Sequence, residues 1–193
     1  HPPQPETYPG LPVLGQHLIQ SLIRAEFDVA SSKKIPDVGS YSSGIPHAYG
    51  FVYRRIMREN VVPSVPVFVN GFYPPNQPRA ARCFALGQAL ARAIQDWDRD
   101  LRVAVIGSGG MSHFVVDEDL DRGFLQALER HDRDGLLSYP EHYYRSGTSE
   151  LKNWIPLAGA MMETRLKPTV VDYVPCYRSP AGTGSGMGFV TWQ

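Results

Sequence analysis

The sequence predicts an α/β protein: a single domain with a central mixed β-sheet flanked by helices. Three observations lead there. Short apolar runs alternate with amphipathic stretches through the middle of the chain, the pattern of strands feeding helices. A length of 193 residues suffices for one substantial core. A content of 42% hydrophobic and 20% charged residues is ordinary globular composition and excludes disordered, coiled-coil and collagen-like chains.

Residues 11–27 (LPVLGQHLIQSLIRAEF) place Leu14, Leu18, Ile19, Leu22 and Ile23 on one helical face, with His17 at its edge. The following SSKKIPDVGSYSSGIPH reads as a loop from its Gly, Ser and Pro content and ends at His47. Residues 48–58 read as a short helix. Residues 65–70 (VPVFVN), apolar and bounded by prolines, read as a buried strand. Pro74, Pro75 and Pro78 then break the chain ahead of residues 79–97, whose Ala/Leu-rich pattern RAARCFALGQALARAIQDW predicts the strongest helix. Residues 101–106 form the next predicted strand, and residues 118–130 an amphipathic helix. Thr148 or Ser149 is expected to cap a helix from Glu150 to about Glu163, with Pro156 removing a donor and kinking it. Residues 170–177 and 188–192 close the chain as strands, separated by the Gly-rich loop SPAGTGSGMG.

A formal net charge of zero with no basic run leaves no electrostatic footprint for nucleic acid or an anionic membrane. Cys83 and Cys176 are far apart and lack a C-x-x-C neighbour, so neither a zinc knuckle nor a disulfide framework is expected. A reduced, cytoplasmic setting fits. No apolar run is long enough to cross a bilayer, and HPPQPETYPG has neither a basic nor a hydrophobic leader region. The Pro-rich start without an initiator Met reads as the interior of a longer protein.

The segment VAVIGSGGMSH, residues 103–113, carries the main question about chemistry. A dinucleotide fingerprint needs a third glycine where Ser112 stands, and the Lys and Ser/Thr of a P-loop are also missing, so phosphate binding is a weak reading. The alternative presents His113 at the carboxyl end of a strand, where open α/β sheets place ligands. An imidazole there suits proton transfer near neutrality, although a surface or satisfied core histidine fits the composition equally well. His47, in GIPHAYG, reads by itself as an ordinary loop histidine. Glu150 at a helix entrance is favoured by the helix dipole alone. Together His47, His113 and Glu150 would also make the two-histidine, one-carboxylate set that binds non-haem Fe(II) with positions open for substrate and oxygen. His17, His131 and His142 read as structural or surface positions, His142 being the one near Glu150 in sequence.

Four motifs coincide with a known family: IPHAYGFVYRRIM, VPVFVNGFYPPNQPRAARCFALGQAL, VAVIGSGGMSHF and SELKNWIPLAGAM. From Gly10 onward the chain resembles the class III extradiol ring-cleavage dioxygenases, the superfamily of the protocatechuate 4,5-dioxygenase beta subunit. GSGGMSH is the most specific motif, supported by Glu150 and Trp154 in E-x-x-x-W and by Tyr73 to Asn76. The resemblance implies a mononuclear non-haem Fe(2+) enzyme that opens a catechol-type ring beside its hydroxyls using O2, in aromatic-compound catabolism. It implies Glu150 as the iron ligand, His113 as the acid/base histidine, and His47 as a second acid/base histidine, with Pro46 where the family pattern usually has Asp. On this basis His47 and His113 move protons and only Glu150 touches metal. The family's two histidine ligands belong to a segment expected before His1; His1 and His17 match neither. The chain is thus expected to be the C-terminal part of a catalytic domain, within a homo-oligomer or beside a small partner subunit. The rival expectation is a truncated or metal-free binding or assembly protein of the same fold, with a nucleotide-binding module behind it.

Overall fold

The computed structural model describes residues 6–34 and 44–193. They fall into two compact units, His1–Phe68 and Val69–Gln193.

In the first unit, α1 (Pro12–Arg24) buries Leu14, Leu18 and Leu22, a four-residue spacing that makes one apolar stripe. Pro12 stands in the first turn, where its missing donor has no helical partner to lose. The expected short helix is present as α2 (His47–Phe51), which continues as a π-helical stretch over Val52–Met57. Its start is tied by the Pro46 carbonyl, which accepts from the Tyr49 and Gly50 amides at 3.1 Å. Tyr53 stacks on Tyr8 with ring centroids 4.2 Å apart, and Arg54 forks onto the Glu6 carboxylate at 2.9 Å. Tyr49 donates to the Val67 carbonyl at 2.7 Å, and burial, followed by the neighbouring Tyr53, pushes its phenol up to about 12. Within the long polar loop, residues 35–43 lie outside the described residues.

The buried strand expected at residues 65–70 is not one. Phe68 is 61% exposed and Val67 is also exposed, and the pairing in this stretch is a lone bridge between Gly10 and Ser64. The strand expected at residues 101–106 is likewise absent in the second unit, where Leu101 is 59% exposed. A strand is held by ladder hydrogen bonds to a neighbour, so a short apolar run does not become one by its own composition.

The second unit is built on α3 (Ala80–Gln95), β1 (His113–Val115), α4 (Glu118–Glu129), α5 (Arg133–Leu137), α6 (Leu151–Met161), β2 (Pro168–Tyr177) and β3 (Thr183–Trp192). The three strands form one sheet in the order β1-β3-β2; the expected α/β class holds, but the sheet expected to be mixed is antiparallel among the described residues, because β1 and β2 both pair with a β3 that runs opposite to them. Leu120, Phe124, Leu125 and Leu128 on α4 join Phe84, Met111, Leu151, Trp154 and Ile155 in the main core. Val170, Tyr173, Val190 and Trp192 pack against it from the sheet.

The segment expected as a Gly-rich loop is mostly β3. Its glycines are strand residues because their neighbours leave no room for a side chain. A Cβ on Gly184 would overlap the Cys176 carbonyl, one on Gly186 the Asp121 carboxylate, and one on Gly188 would crowd Met111 Sδ at 2.7 Å. Close backbone approach is a recognised reason for glycine inside a strand. A register irregularity between Val170 and Asp172 inserts an extra residue in β2. Strict alternation would send Val170 and Tyr173 to opposite faces; the bulge turns both toward the core.

α6 begins at Leu151, with Glu150 at the cap position and no side-chain cap bond. The expected Ser149 or Thr148 cap is therefore replaced; Ser149 is buried, and its carbonyl accepts from the Lys152 amide at 3.1 Å. The start of α3 is capped from afar: Glu141 Oε1 accepts the Ala80 amide at 2.8 Å, and Lys152 Nζ lies 3.6 Å from Glu141 Oε2. α3 and α6 cross in close contact through a reciprocal pair of glycines. A Cβ on Gly87 would overlap the Pro156 carbonyl, and one on Gly159 would overlap the Phe84 carbonyl. Helix propensity favours alanine over glycine by about 1 kcal/mol, yet Gly87→Ala is expected to destabilise the protein by roughly 1–3 kcal/mol, the cost of overpacking against rigid backbone. Denaturant unfolding measures it; a stabilised variant would refute this crossing.

Candidate active site

The glycine loop ahead of His113 lies on the first turns of α6. A Cβ on Gly107 would come 3.0 Å from the Asn153 carbonyl oxygen, and one on Gly109 would come 3.0 Å from Asn153 Nδ2 and 3.1 Å from Glu150 Oε2. These glycines let backbone meet helix, which is a packing reason for the motif rather than a phosphate cradle. The contact is sealed by two hydrogen bonds. Gly110 N–H donates to Glu150 Oε2 at 2.6 Å, and Trp154 Nε1 donates to the Gly109 carbonyl at 3.0 Å. The E-x-x-x-W spacing thus puts two side chains one helical turn apart on the same face, both gripping the loop.

His113, the first residue of β1, is held by its Nδ1, which lies 2.9 Å from the Met111 carbonyl oxygen. A carbonyl only accepts, so Nδ1 carries the proton and Nε2 of the neutral ring is the basic nitrogen. Nε2 lies 3.7 Å from Glu150 Oε2, beyond hydrogen-bond length. Phe114, the next residue, adopts φ 69° and is largely exposed. This left-handed conformation costs a bulky residue about 1–2 kcal/mol, so strain is stored beside the histidine. Behind it, a Cβ on Gly147 would overlap the His113 carbonyl.

Beneath the loop lies a group that sequence reasoning missed. Asp121 on α4 is 0% exposed. Its Oδ1 accepts the Ser112 amide at 2.9 Å, and its Oδ2 accepts the Ser112 hydroxyl at 2.7 Å and the Tyr173 hydroxyl at 2.8 Å. Ser112 Oγ in turn accepts the Asp117 amide at 2.9 Å, and Asp117 caps α4 by accepting the Leu120 amide at 3.0 Å. Burial raises the Asp121 carboxyl above its ordinary value, opposed by the hydrogen bonds from Ser112 and Tyr173. Burial, then the Asp121 hydrogen bond, also raises the Tyr173 phenol. The signal was present in the sequence: Asp121 stands among Leu120, Phe124, Leu125 and Leu128, a charge on the apolar face of an amphipathic helix.

Of the three predicted site residues, the structure brings His113 and Glu150 together. His47 belongs to the other unit, where it is exposed at the first position of α2. His142 is exposed with its ring 4.9 Å from that of Tyr143, and His131 sits in a turn at φ 51°. Cys83 is buried, with its thiol pushed up to about 12 by that burial, and Cys176 is exposed; both are free. Among the described residues no three His, Cys, Asp or Glu side chains form a metal cluster. Glu150 and His113 supply one carboxylate and one imidazole, short of the three protein ligands of an open facial iron site. No described helix is long and apolar enough to cross a membrane.

The family model described as the catalytic LigB subunit of aromatic ring-opening dioxygenase matches residues 3–186. A gallate dioxygenase of Pseudomonas putida is 34% identical over 113 residues, covering 56% of this chain and 30% of that protein. A 2,3-dihydroxyphenylpropionate/2,3-dihydroxicinnamic acid 1,2-dioxygenase of Comamonas testosteroni is 32% identical over 96 residues, 50% of this chain and 27% of the relative. One of the same description from Mycobacterium ulcerans is 47% identical over 68 residues, 35% of this chain and 21% of the relative. The matches span less than a third of the length of these relatives.

Proposed function

Since the chain belongs to the family of catalytic LigB subunits of aromatic ring-opening dioxygenases, we propose that it carries part of the active site of an Fe(II)-dependent extradiol dioxygenase acting on a catechol-type ring and O2. The observation that carries this is the juxtaposition of His113 and Glu150, with the basic Nε2 3.7 Å from the carboxylate. Glu150 is assigned as an iron ligand and His113 as the acid/base group. His47 is assigned as the second acid/base histidine on the strength of its motif. The described residues do not complete an iron site, so two further ligands come from outside them.

When bound, iron would supply acidification of a coordinated hydroxyl and a common template for ring and oxygen. The chain's own residues account for the proton chemistry. His113 Nε2 takes a proton from a catechol hydroxyl, because Nδ1–H is committed to the Met111 carbonyl and leaves the other nitrogen as the base. The resulting imidazolium returns that proton to oxygen later in ring opening. The Gly107 to Gly110 backbone, gripped by Trp154 and Glu150, holds the loop against drift between these steps. Cytoplasmic location and a homo-oligomer or small partner subunit belong to the same proposal.

The test is O2 uptake by the intact protein, loaded with Fe(II), against a panel of protocatechuate-like, gallate-like and alkyl-substituted catechols. Stoichiometric O2 consumption with a yellow ring-fission product is expected from at least one. No turnover of any catechol by fully loaded protein would overturn the proposal and favour a binding or assembly role.

A further inference from the structure

We propose that Asp121 is the positioning residue of His113, acting through the Met111–Ser112 peptide unit to hold the imidazole with Nδ1 protonated and Nε2 free. The inference rests on the assignment of His113 as the acid/base group. The geometry is a relay across one amide. The Ser112 N–H and the Met111 C=O are the two ends of the same planar group. The N–H donates to Asp121 Oδ1 at 2.9 Å, and the C=O takes His113 Nδ1–H, also at 2.9 Å. A carboxylate on the amide hydrogen fixes the plane of the peptide. It also polarises the carbonyl at the far end, since hydrogen bonds in series strengthen one another. The arrangement is an aspartate–histidine pair with a peptide group between its members.

Several independent features hold this relay. The same peptide stretch is tied to β3, where the Met111 amide donates to the Gly186 carbonyl at 2.9 Å and the Gly186 amide to the Ser112 carbonyl at 2.7 Å. Gly186 has no room for a Cβ because Asp121 Oδ2 lies there, so carboxylate and strand close on the loop together. The β2 bulge aims Tyr173 at Asp121 Oδ2. The Ser112 hydroxyl gives the carboxylate its third donor. The charged groups around this hub are Asp117, whose amide is on Ser112 Oγ, Glu118, which acts on the Tyr173 phenol, and Arg122, whose guanidinium lies over the Tyr173 ring at 4.7 Å and pairs with Glu118; none is a salt-bridge partner of Asp121. A buried carboxylate without a cation is costly, and a purely structural core would be served as well by an apolar residue. Glu150 does not set the ring's tautomer, because its Oε2 takes Gly110 N–H and stands 3.7 Å from Nε2.

The experiment is nitrogen-15 and carbon-13 NMR of the His113 ring in the intact protein at alkaline pH, for wild type, Asp121→Asn and Ser112→Ala. Wild type is expected to show the Nδ1–H tautomer. Asp121→Asn should shift the tautomer ratio toward Nε2–H by roughly fivefold, the weight of one hydrogen bond, and Ser112→Ala, which keeps the amide bond to Asp121, by less. If Asp121→Asn fails to fold, the Ser112→Ala shift decides. A wild-type tautomer ratio retained in every folded variant would overturn the proposal. So would an Nε2–H ring in wild type. This readout needs no turnover, so it stands apart from failure of the dioxygenase assignment. With an active enzyme, Asp121→Asn should lower kcat roughly 10- to 100-fold, as misplacement of a reacting group does, with KM and iron content unchanged; KM rising at constant kcat would contradict the relay.

Discussion

His113→Ala or His113→Phe is expected to lower catechol turnover by roughly 10²- to 10⁴-fold, the usual contribution of a positioned acid/base group, while iron content stays at the wild-type level. His113 is anchored by Nδ1 to its own loop and leaves Nε2, on the Glu150 side, as the basic nitrogen. Removing the ring takes away a proton acceptor and leaves the grip of Glu150 and Trp154 on Gly110 and Gly109 intact. The loop should therefore persist, and a thermal melt close to wild type would accompany the lost rate. Metal analysis beside steady-state kinetics checks this. If the substitution strips the iron, His113 is a ligand and the division of roles between it and Glu150 is reversed.

Glu150→Gln carries the second large effect, which falls on metal binding. The amide retains an oxygen to accept Gly110 N–H, so the loop and the α6 start are preserved, but the anionic oxygen that a hard ferrous ion favours is gone. Iron affinity is expected to fall by more than about 100-fold, exceeding the 10- to 100-fold typical of outer-shell changes, and turnover should disappear with it. Equilibrium metal titration of the intact protein measures this. Full iron retention in Glu150→Gln would remove Glu150 from the ligand set. The two variants together are a cross-test, because one should lose rate and keep metal, and the other should lose metal first.

Much of the helical framework was legible in the sequence. The stripe Leu14, Leu18, Leu22 announces α1, and the Ala/Leu-rich run after Pro78 announces α3, because helix periodicity and punctuation are local properties. Strands were harder. Residues 65–70 and 101–106 carry strand-like composition but no ladder, whereas the glycine-rich stretch of β3 looks like loop and pairs along its length with β2. Strand formation depends on what lies alongside, and a sequence window does not contain its neighbour.

For the site, the residues of the sequence alone left His113 balanced between proton transfer and a structural place and favoured a structural place for Glu150; the resemblance of their motifs supplied the roles proposed for both. The chain itself set Gly107, Gly109 and Gly110 ahead of His113, with Met111 and Ser112 between. Tertiary structure decided why. Gly107 and Gly109 are small because α6 lies against them, and Gly186 is small because Asp121 does. The bulge in β2 turns Tyr173 inward, and Asp121 meets Ser112 from nine positions away and Tyr173 from 52. Periodicity reports the face a residue occupies, and Asp121 falls on the apolar face of α4, a signal the sequence reading passed over. The partners that make a buried carboxylate tolerable come from other elements, so only the folded chain discloses them.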